Sequence, residues 1–313
     1  MINTNNIKIQ NPIVHTYSII ARDPLTGKMG VGVQSHWFSV GSVVSWGESG
    51  VGVIATQASV NVSFGLRGLE LLKKNKTPQE TLDLLLSSDE GKDVRQLAIL
   101  DTKGRVAVHT GKKCIQAAGH KKGKNYSVQA NMMLHDTVWS AMADAFEKHN
   151  TLPLPERIIE VLKAAQSQGG DIRGKQSAAL LIVGGEKKEN PWEDREIDLR
   201  VEDHHDPVEE LERLLQIHRA YEHMNNGDLA LEKNDMKTAL YEYNASHKLI
   251  PDNLEMKFWT AVSLANVNKL DEAIPLFEHV FNKERNWHLL AKRLPEGGFL
   301  TVNEEDLQKI LNL

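Results

Sequence analysis

Residues 27–68 hold nine of the chain's 22 glycines, interleaved with Val, Ile and Ser. Within this stretch MGVGV (29–33) and VGVIATQA (51–58) read as strands carrying apolar residues on both faces. Such strands need cover on both sides. Two sheets stacked between helical layers supply it, and other α+β arrangements satisfy the same requirement.

The surrounding sequence supplies the parts. TYSIIAR (16–22) is rich in β-formers and is followed by the turn DPLTG (23–27). Residues 40–46 read as a further strand. Residues 66–74 and 78–86 have helical periodicity, with Thr77 placed to cap the second helix ahead of Pro78. Residues 96–100 and 105–109 flank DTKG (101–104) as a hairpin, and 114–118 and 126–130 are extended. Helical patterns over 136–148 and 155–168 precede strands at 177–183 and 197–201.

Beyond residue 207 the chain becomes helical, with Leu, Glu, Lys and Asn dominant. A unit of about 34 residues starting at Ala220 places Gly227, Ala239, Tyr243 and Pro251 at tetratricopeptide spacing. The next unit, from Leu254, places Ala273 and Phe277 at the matching positions, with Ala261 and Arg285 in place of the glycine and proline. A final helix is expected over 304–313. Two repeats make a short array, which favours docking or self-association. The expected division is an extension over 1–15, an α+β domain over 16–206 and a helical domain over 207–313. The acidic stretch 186–213, with 12 acidic and 5 basic residues, approaches the junction.

Composition narrows the functional classes. The chain has 313 residues, 41% of them hydrophobic and 25% charged, as in soluble globular proteins. Its longest apolar run, 178–183, is far short of the ~20 residues of a membrane helix. The net charge of −5 gives no basic field for nucleic acid. The first ten residues are polar and lack the apolar core of a secretory signal. One cysteine, Cys114, excludes an intramolecular disulfide and fits a cytoplasmic location.

No P-loop, GxSxG, HExxH or CxxC motif is present. His204-His205-Asp206 reads as surface loop rather than metal site, since neighbouring strand residues point to opposite faces. The lysines around Gly119-His120 read as a solvated hairpin face, and Cys114 as a small buried hydrophobe. Polar residues inside apolar segments carry more information. These are Gln57 in VGVIATQA, Gln129 and Asn131 in YSVQANMM, and Asp171, Arg173, Gln176 and Ser177 in GGDIRGKQSAALLIV. Burying such groups unpaired costs about 1–3 kcal/mol each, so they pair with one another or with a ligand.

The blocks TYSIIARDPLTGKMGVGVQS, GESGVGVIATQA, RGLELL, YSVQANMM, GGDIRGKQSAALLIV and DLRVEDHHDPVEELERLL resemble the domain of unknown function 1028 family, from about residue 16 to about 218. That family is placed among the N-terminal nucleophile (Ntn) hydrolase-like proteins. The resemblance implies a four-layer αββα sandwich and gives Thr16 and Asp171 as catalytic candidates. Ser35, His36, Gln57, Gln129, Asn131, Arg173, Gln176 and Ser177 become candidates for holding substrate. In an Ntn enzyme the α-amino group of the first residue, with a pKa of ~7.7–8.0, serves as base for its own hydroxyl. Here fifteen residues precede Thr16, so its amine requires cleavage after His15. No lysine occurs between Lys28 and Lys73 to match the proteasome-type lysine.

Three readings follow. The first is an amidohydrolase acting on a small amide, cyclic amide or short peptide through Thr16, with no metal or cofactor. The second is a hydrolase using Ser35, Cys114 or an activated water, with His36 or His120 as base. The third is a non-catalytic protein that binds a small ligand or peptide. A homo-oligomer, with no nucleic-acid or membrane partner, is expected in each.

Overall fold

The computed structural model describes residues 13–233 and 235–313, so most of the expected 1–15 extension lies outside the described residues. The chain divides into two compact units, with the division after Arg213. That point falls inside the long helix α6 (Pro207–Glu232), beyond the expected junction.

The first unit opens with β1 (Ile13–Val14), β2 (Thr16–Arg22) and β3 (Met29–Ser35). A short helix α1 (Gly41–Val44) leads to β4 (Ser45–Glu48) and β5 (Gly52–Ser59). Helices α2 (Ser63–Lys73) and α3 (Pro78–Ser87) follow, then β6 (Arg95–Asp101), β7 (Val106–Thr110), β8 (Gly119–Gly123) and β9 (Tyr126–Ala130). Helices α4 (Val138–Lys148) and α5 (Leu154–Ser167) precede β10 (Ser177–Val183) and β11 (Arg195–Val201).

These strands form two antiparallel sheets. The first has the order β1-β5-β6-β7, with β4 also on β5; the second runs β11-β10-β3-β2-β9-β8. Helices α2 and α3 pack on the first sheet, α4 and α5 on the second, and the sheets face each other. The alternation of β5 explains its lack of a polar face. Val53 and Ala55 meet Ile20, Val31, Val33 and Leu181 across the sheets, whereas Ile54 joins Phe64 and Leu69 under α2.

Helix α3 has the expected capping box: the Thr77 hydroxyl accepts from the Glu80 amide, and the Thr77 amide donates to the Glu80 carboxylate. Two expected strands are replaced. Within 40–46, the amides of Val43 and Val44 donate to the Val40 carbonyl, making α1 before β4 begins. Within 114–118, the Cys114 amide turns back to the Gly111 carbonyl and Ala117 has a positive φ, so β8 begins only at Gly119. Local turn hydrogen bonds, anchored from afar by the Val40 amide on Ser177 Oγ and the Lys113 amide on the Asp93 carbonyl, override β propensity at the two places.

The second unit contains the rest of α6, then α7 (Met236–Leu249), α8 (Leu254–Asn266), α9 (Leu270–Lys283), α10 (Asn286–Arg293) and α11 (Glu304–Leu311). Asp235 and Asn253 cap α7 and α8 with their side chains. The small and aromatic residues of the repeat spacing, Ala239 with Tyr243 and Ala273 with Phe277, are all buried. A Cβ at Gly227 would lie 2.5 Å from the Tyr243 ring, so α6 and α7 approach closely there. Helix α10 was not anticipated from sequence.

The glycines of MGVGV let α5 settle on the second sheet. A Cβ at Gly32 would stand 2.2 Å from Ile158 Cγ2 and 3.3 Å from Ile19 Cγ2. Gly32→Ala is therefore expected to cost about 1–3 kcal/mol through overpacking. A lower urea midpoint measures this; an unchanged midpoint would mean that α5 moves away freely.

Candidate functional site

β2 and β10 begin, and β3 and β9 end, at the same end of the second sheet. The register places Ser35 opposite both Thr16 and Ser177, so these three residues share one face. Ser18 and Gln129 form the next polar pair on that face. Across from them the first sheet presents Gln57 opposite Gln96, with Gln96 also opposite Thr110. These polar interruptions of the apolar strands thus gather between the sheets, whereas Gln34 of β3 lies on the opposite face, buried and without a hydrogen-bond partner among the described residues.

The amides between the sheets are all paired. Gln57 Oε1 accepts from Ser18 Oγ at 2.6 Å, and Gln129 Nε2 donates to the same Ser18 oxygen at 2.6 Å. Gln129 Oε1 accepts from Ser127 Oγ at 3.0 Å. Gln96 Oε1 accepts from Gln57 Nε2 at 2.7 Å and Asn131 Nδ2 at 2.9 Å. Gln96 Nε2 donates to Thr110 Oγ1 at 2.8 Å and to the carbonyls of Ala130 and Gly119 at 3.0 and 3.2 Å. The Thr110 hydroxyl meets His120 Nδ1 at 2.8 Å. The Thr16 carbonyl accepts from the Asn131 amide at 3.1 Å, Gln57 Nε2 at 3.3 Å and Asn131 Nδ2 at 3.4 Å. Ala58 and Met132, next to Gln57 and Asn131, both hold left-handed backbone, with φ of 70° and 60°. Non-glycine residues adopt that conformation at a cost, and do so most often where surrounding structure enforces it.

Thr16 is fully buried, and its Oγ1 donates to the Val14 carbonyl at 3.0 Å. The chain ahead of it belongs to the other sheet: Val14 of β1 pairs with Ala58 of β5. His15 carries the crossing. Its carbonyl accepts from Ser35 Oγ at 2.5 Å and from Arg173 Nη2 at 2.8 Å. Its ring Nδ1 lies 2.5 Å from Asn131 Oδ1. Asn131 spends its amide nitrogen on Gln96 and Thr16, so Oδ1 is the acceptor and His15 Nδ1 carries the proton.

The hydrogen bonds of the Asp171 carboxylate go to Arg173 and His36 rather than to Thr16. The carboxylate accepts from Arg173 Nε at 3.0 Å and Nη2 at 2.7 Å, from the Arg173 amide at 2.9 Å and from the His36 amide at 3.2 Å. It thereby aims the guanidinium at the His15 carbonyl. Ser177 Oγ donates to the Trp37 carbonyl and accepts from the Val40 amide at 3.0 Å, fixing the turn into α1. The His36 side chain is exposed, and Gln176 is half-buried with its carbonyl on the His204 amide.

Cys114 and His120 line one open cavity of about 730 Å³ with Trp139, but their polar atoms turn elsewhere. Cys114 Sγ donates to the Arg95 carbonyl at 3.4 Å, and burial raises its thiol pKa. Among the described residues, no three His, Cys, Asp or Glu side chains gather in a way that suits a metal ion. No helix of the described residues is long and apolar enough to cross a membrane.

Sequence reasoning missed Gln96 and Ser18, although each is a polar residue inside an apolar strand, the same signal that marked Gln57. It named His15 only as the residue before a cleavage point. The grip on its carbonyl is a tertiary arrangement of β3 and the α5–β10 loop.

These features define a two-sheet α+β protein with a buried polar cluster around the first residue of a central strand. The sequence profile described as "Family of unknown function (DUF1028)" matches residues 16–211, and the chain belongs to that family. It is similar to the crystal structure of protein SPO2555 from Silicibacter pomeroyi, described with the same family, at 29% identity and a TM-score of 0.58. The match covers 64% of this chain and 88% of that one. No curated protein matches.

Two outcomes are expected. Gln96→Leu removes the shorter-bonded of the two acceptors that Gln57 Nε2 and Asn131 Nδ2 share, leaving only longer bonds to backbone carbonyls, and should destabilise the first unit by about 1–3 kcal/mol, seen in urea unfolding. A neutral result would mean that the cluster re-pairs without Gln96. The second outcome concerns His15. Burial lowers its pKa, the Asn131 hydrogen bond opposes this, Arg173 lowers it further and Asp171 raises it. A folded pKa below the unfolded ~6.5 means that unfolded chains take up the proton first as pH falls. The stability contribution is thus present above pH ~6.5 and lost below it. In chains verified as intact by mass, Tm should fall from pH 7 to pH 5, and fall less in His15→Asn. Parallel curves would rule out a buried neutral imidazole.

Proposed function

We propose that this protein is an Ntn-type amidohydrolase whose nucleophile is Thr16, released by cutting the His15–Thr16 bond. The observation that carries this reading is the grip of Ser35 and Arg173 on the His15 carbonyl oxygen, one bond from the Thr16 amide. Two donors on a carbonyl oxygen, one of them cationic, are the equipment that stabilises a tetrahedral oxyanion. Two facing sheets with helices outside each support an αββα Ntn-like architecture. The buried Ala–Tyr and Ala–Phe pairs support tetratricopeptide-like repeats, which suit a peptide or a second copy of the chain.

In the proposed maturation, Thr16 Oγ1 attacks the His15 carbonyl carbon. The oxygen gains charge facing Ser35 Oγ and Arg173. The C–N bond breaks, the hydroxyl proton passes to the departing amine, and an ester joins His15 to Thr16 Oγ1. Water then hydrolyses the ester, leaving a carboxylate on His15 and a free amine and hydroxyl on Thr16. In turnover the amine takes the Thr16 hydroxyl proton while Oγ1 attacks a substrate amide lying where the His15 carbonyl lay. The leaving amine receives that proton, and water releases the acyl group. Gln57 and Asn131 fix the Thr16 carbonyl, and Asp171 positions Arg173. The substrate class is a small amide, cyclic amide or short peptide. The alternative Cys114–His120 chemistry has no support in hydrogen bonding, since the two side chains bond to other groups.

Intact mass and amino-terminal sequencing test this. Wild-type chains should acquire Thr16 as first residue, and Thr16→Ala chains should stay uncut. Ser35→Ala and Arg173→Ala should each slow the cut by about 10²–10³. A wild-type chain that remains uncut on long incubation would overturn the reading and leave the ligand-binding alternative.

A further inference from the structure

The residues that precede the bond at Thr16 occupy the acyl side of the proposed site. Their surroundings are therefore a cast of what an acyl group there meets. Val14 is fully buried within the cluster that also contains Val40, Val53 and Val60, and its backbone pairs with Ala58. The pocket behind it is apolar and compact. His15 is 5% exposed. Its ring meets one hydrogen-bonding group, the Asn131 oxygen, through Nδ1. Ring Nε2 is buried and has no hydrogen-bond partner among the described residues.

Among the described residues, the pocket around residue 15 therefore offers its ring a single acceptor, and this acceptor is fixed. Turning the Asn131 amide over to present nitrogen would surrender its bonds to Gln96 Oε1 and the Thr16 carbonyl. A side chain with an N–H at the δ position satisfies it, as His and Asn do. A Leu leaves the Asn131 oxygen buried and unpaired. An Asp sets a carboxylate against it. A polar group left unpaired in this way costs about 1–3 kcal/mol, which corresponds to roughly 5- to 150-fold in discrimination.

We infer that the substrate is a peptide or N-acylated amine whose acyl residue is His or Asn, preceded by a compact apolar residue. Its acyl chain lies as a short strand against the end of β5, its carbonyl on Ser35 and Arg173 and its side chain on Asn131. This rests on the reading of Thr16 as nucleophile. It adds that residues 13–15 record the acyl specificity of the mature site. The cut segment, which ends in a carboxylate facing Arg173, is accordingly a product-like inhibitor.

The experiment uses full-length protein that has processed itself, with Thr16 verified as first residue. Acetyl-Ile-Val-X p-nitroanilides are compared with X as His, Asn, Leu or Asp. The kcat/KM for His and Asn should exceed that for Leu and Asp by about tenfold or more. Asn131→Leu should erase the ratio whatever it does to the absolute rate. Acetyl-Pro-Ile-Val-His with a free carboxylate should inhibit competitively, and its X = Asp counterpart should do so more weakly by a similar factor. A processed protein that hydrolyses other amides, yet treats the four anilides alike, overturns this inference and leaves the Thr16 reading standing. A chain that never processes, or that processes and hydrolyses no amide, overturns both.

Discussion

The carbonyl of Thr16 is held by three donors, and the first unit is organised around keeping those donors in place. Two of the donors belong to Asn131, just past β9, and the third to Gln57, near the end of β5. Amides placed between two apolar sheets are tolerable only when fully paired, because each unpaired group forfeits most of the gain from burying a neighbouring valine. Gln96 makes the pairing possible. Its oxygen accepts hydrogen bonds from the first sheet through Gln57 and from beyond β9 through Asn131, while its nitrogen ties down the ends of β7 and β9. The cluster therefore fixes the lateral position of one sheet over the other, which apolar contacts between Val, Ile and Ala leave loosely specified.

The chain exploits this fixed alignment by crossing it. Val14 belongs to the first sheet and Thr16 to the second, so a single residue spans the gap and its backbone has no strand partner among the described residues. A buried carbonyl with no ladder partner must be satisfied by side chains. Ser35 and Arg173 do this, and Asp171 holds Arg173 in turn. Structural necessity and the proposed chemistry thus ask for the same donors. An intact peptide needs them as hydrogen-bond partners, and a tetrahedral oxygen at the same place needs them more.

Much of this was legible in the sequence, for reasons that differ by element. Thr16–Arg22 and Ser177–Val183 have the expected bounds because an apolar or β-branched run between turn residues leaves one economical conformation. The capping box of α3 was readable because it is wholly local. Residues 40–46 misled because their β-branched composition is overruled by Ser177, 137 residues further along the chain, which accepts the Val40 amide. The site was legible as a list of misfit polar residues but not as a geometry. Gln57, Gln129 and Asn131 were recognisable as groups needing partners. Asp171 was legible as a candidate, yet its relation to Arg173 rather than to Thr16 appears only when the loop before β10 is seen in three dimensions.

The choice of arginine on the His15 carbonyl adds a charge term to what a neutral donor supplies. A donor that binds the ground-state carbonyl as tightly as the tetrahedral oxygen yields no acceleration, since both states are lowered equally. A cation discriminates between them, because its interaction grows with the charge that develops on the oxygen. The carboxylate of Asp171 moderates that field while holding the guanidinium within reach, so Arg173 is oriented at the cost of part of its charge. Ser35, neutral and at the end of β3, supplies direction rather than charge. In the proposed reaction the two are therefore unequal. Arg173 adds a charge term to the stabilised oxygen, whereas Ser35 adds a neutral hydrogen bond and also places the carbonyl that is attacked.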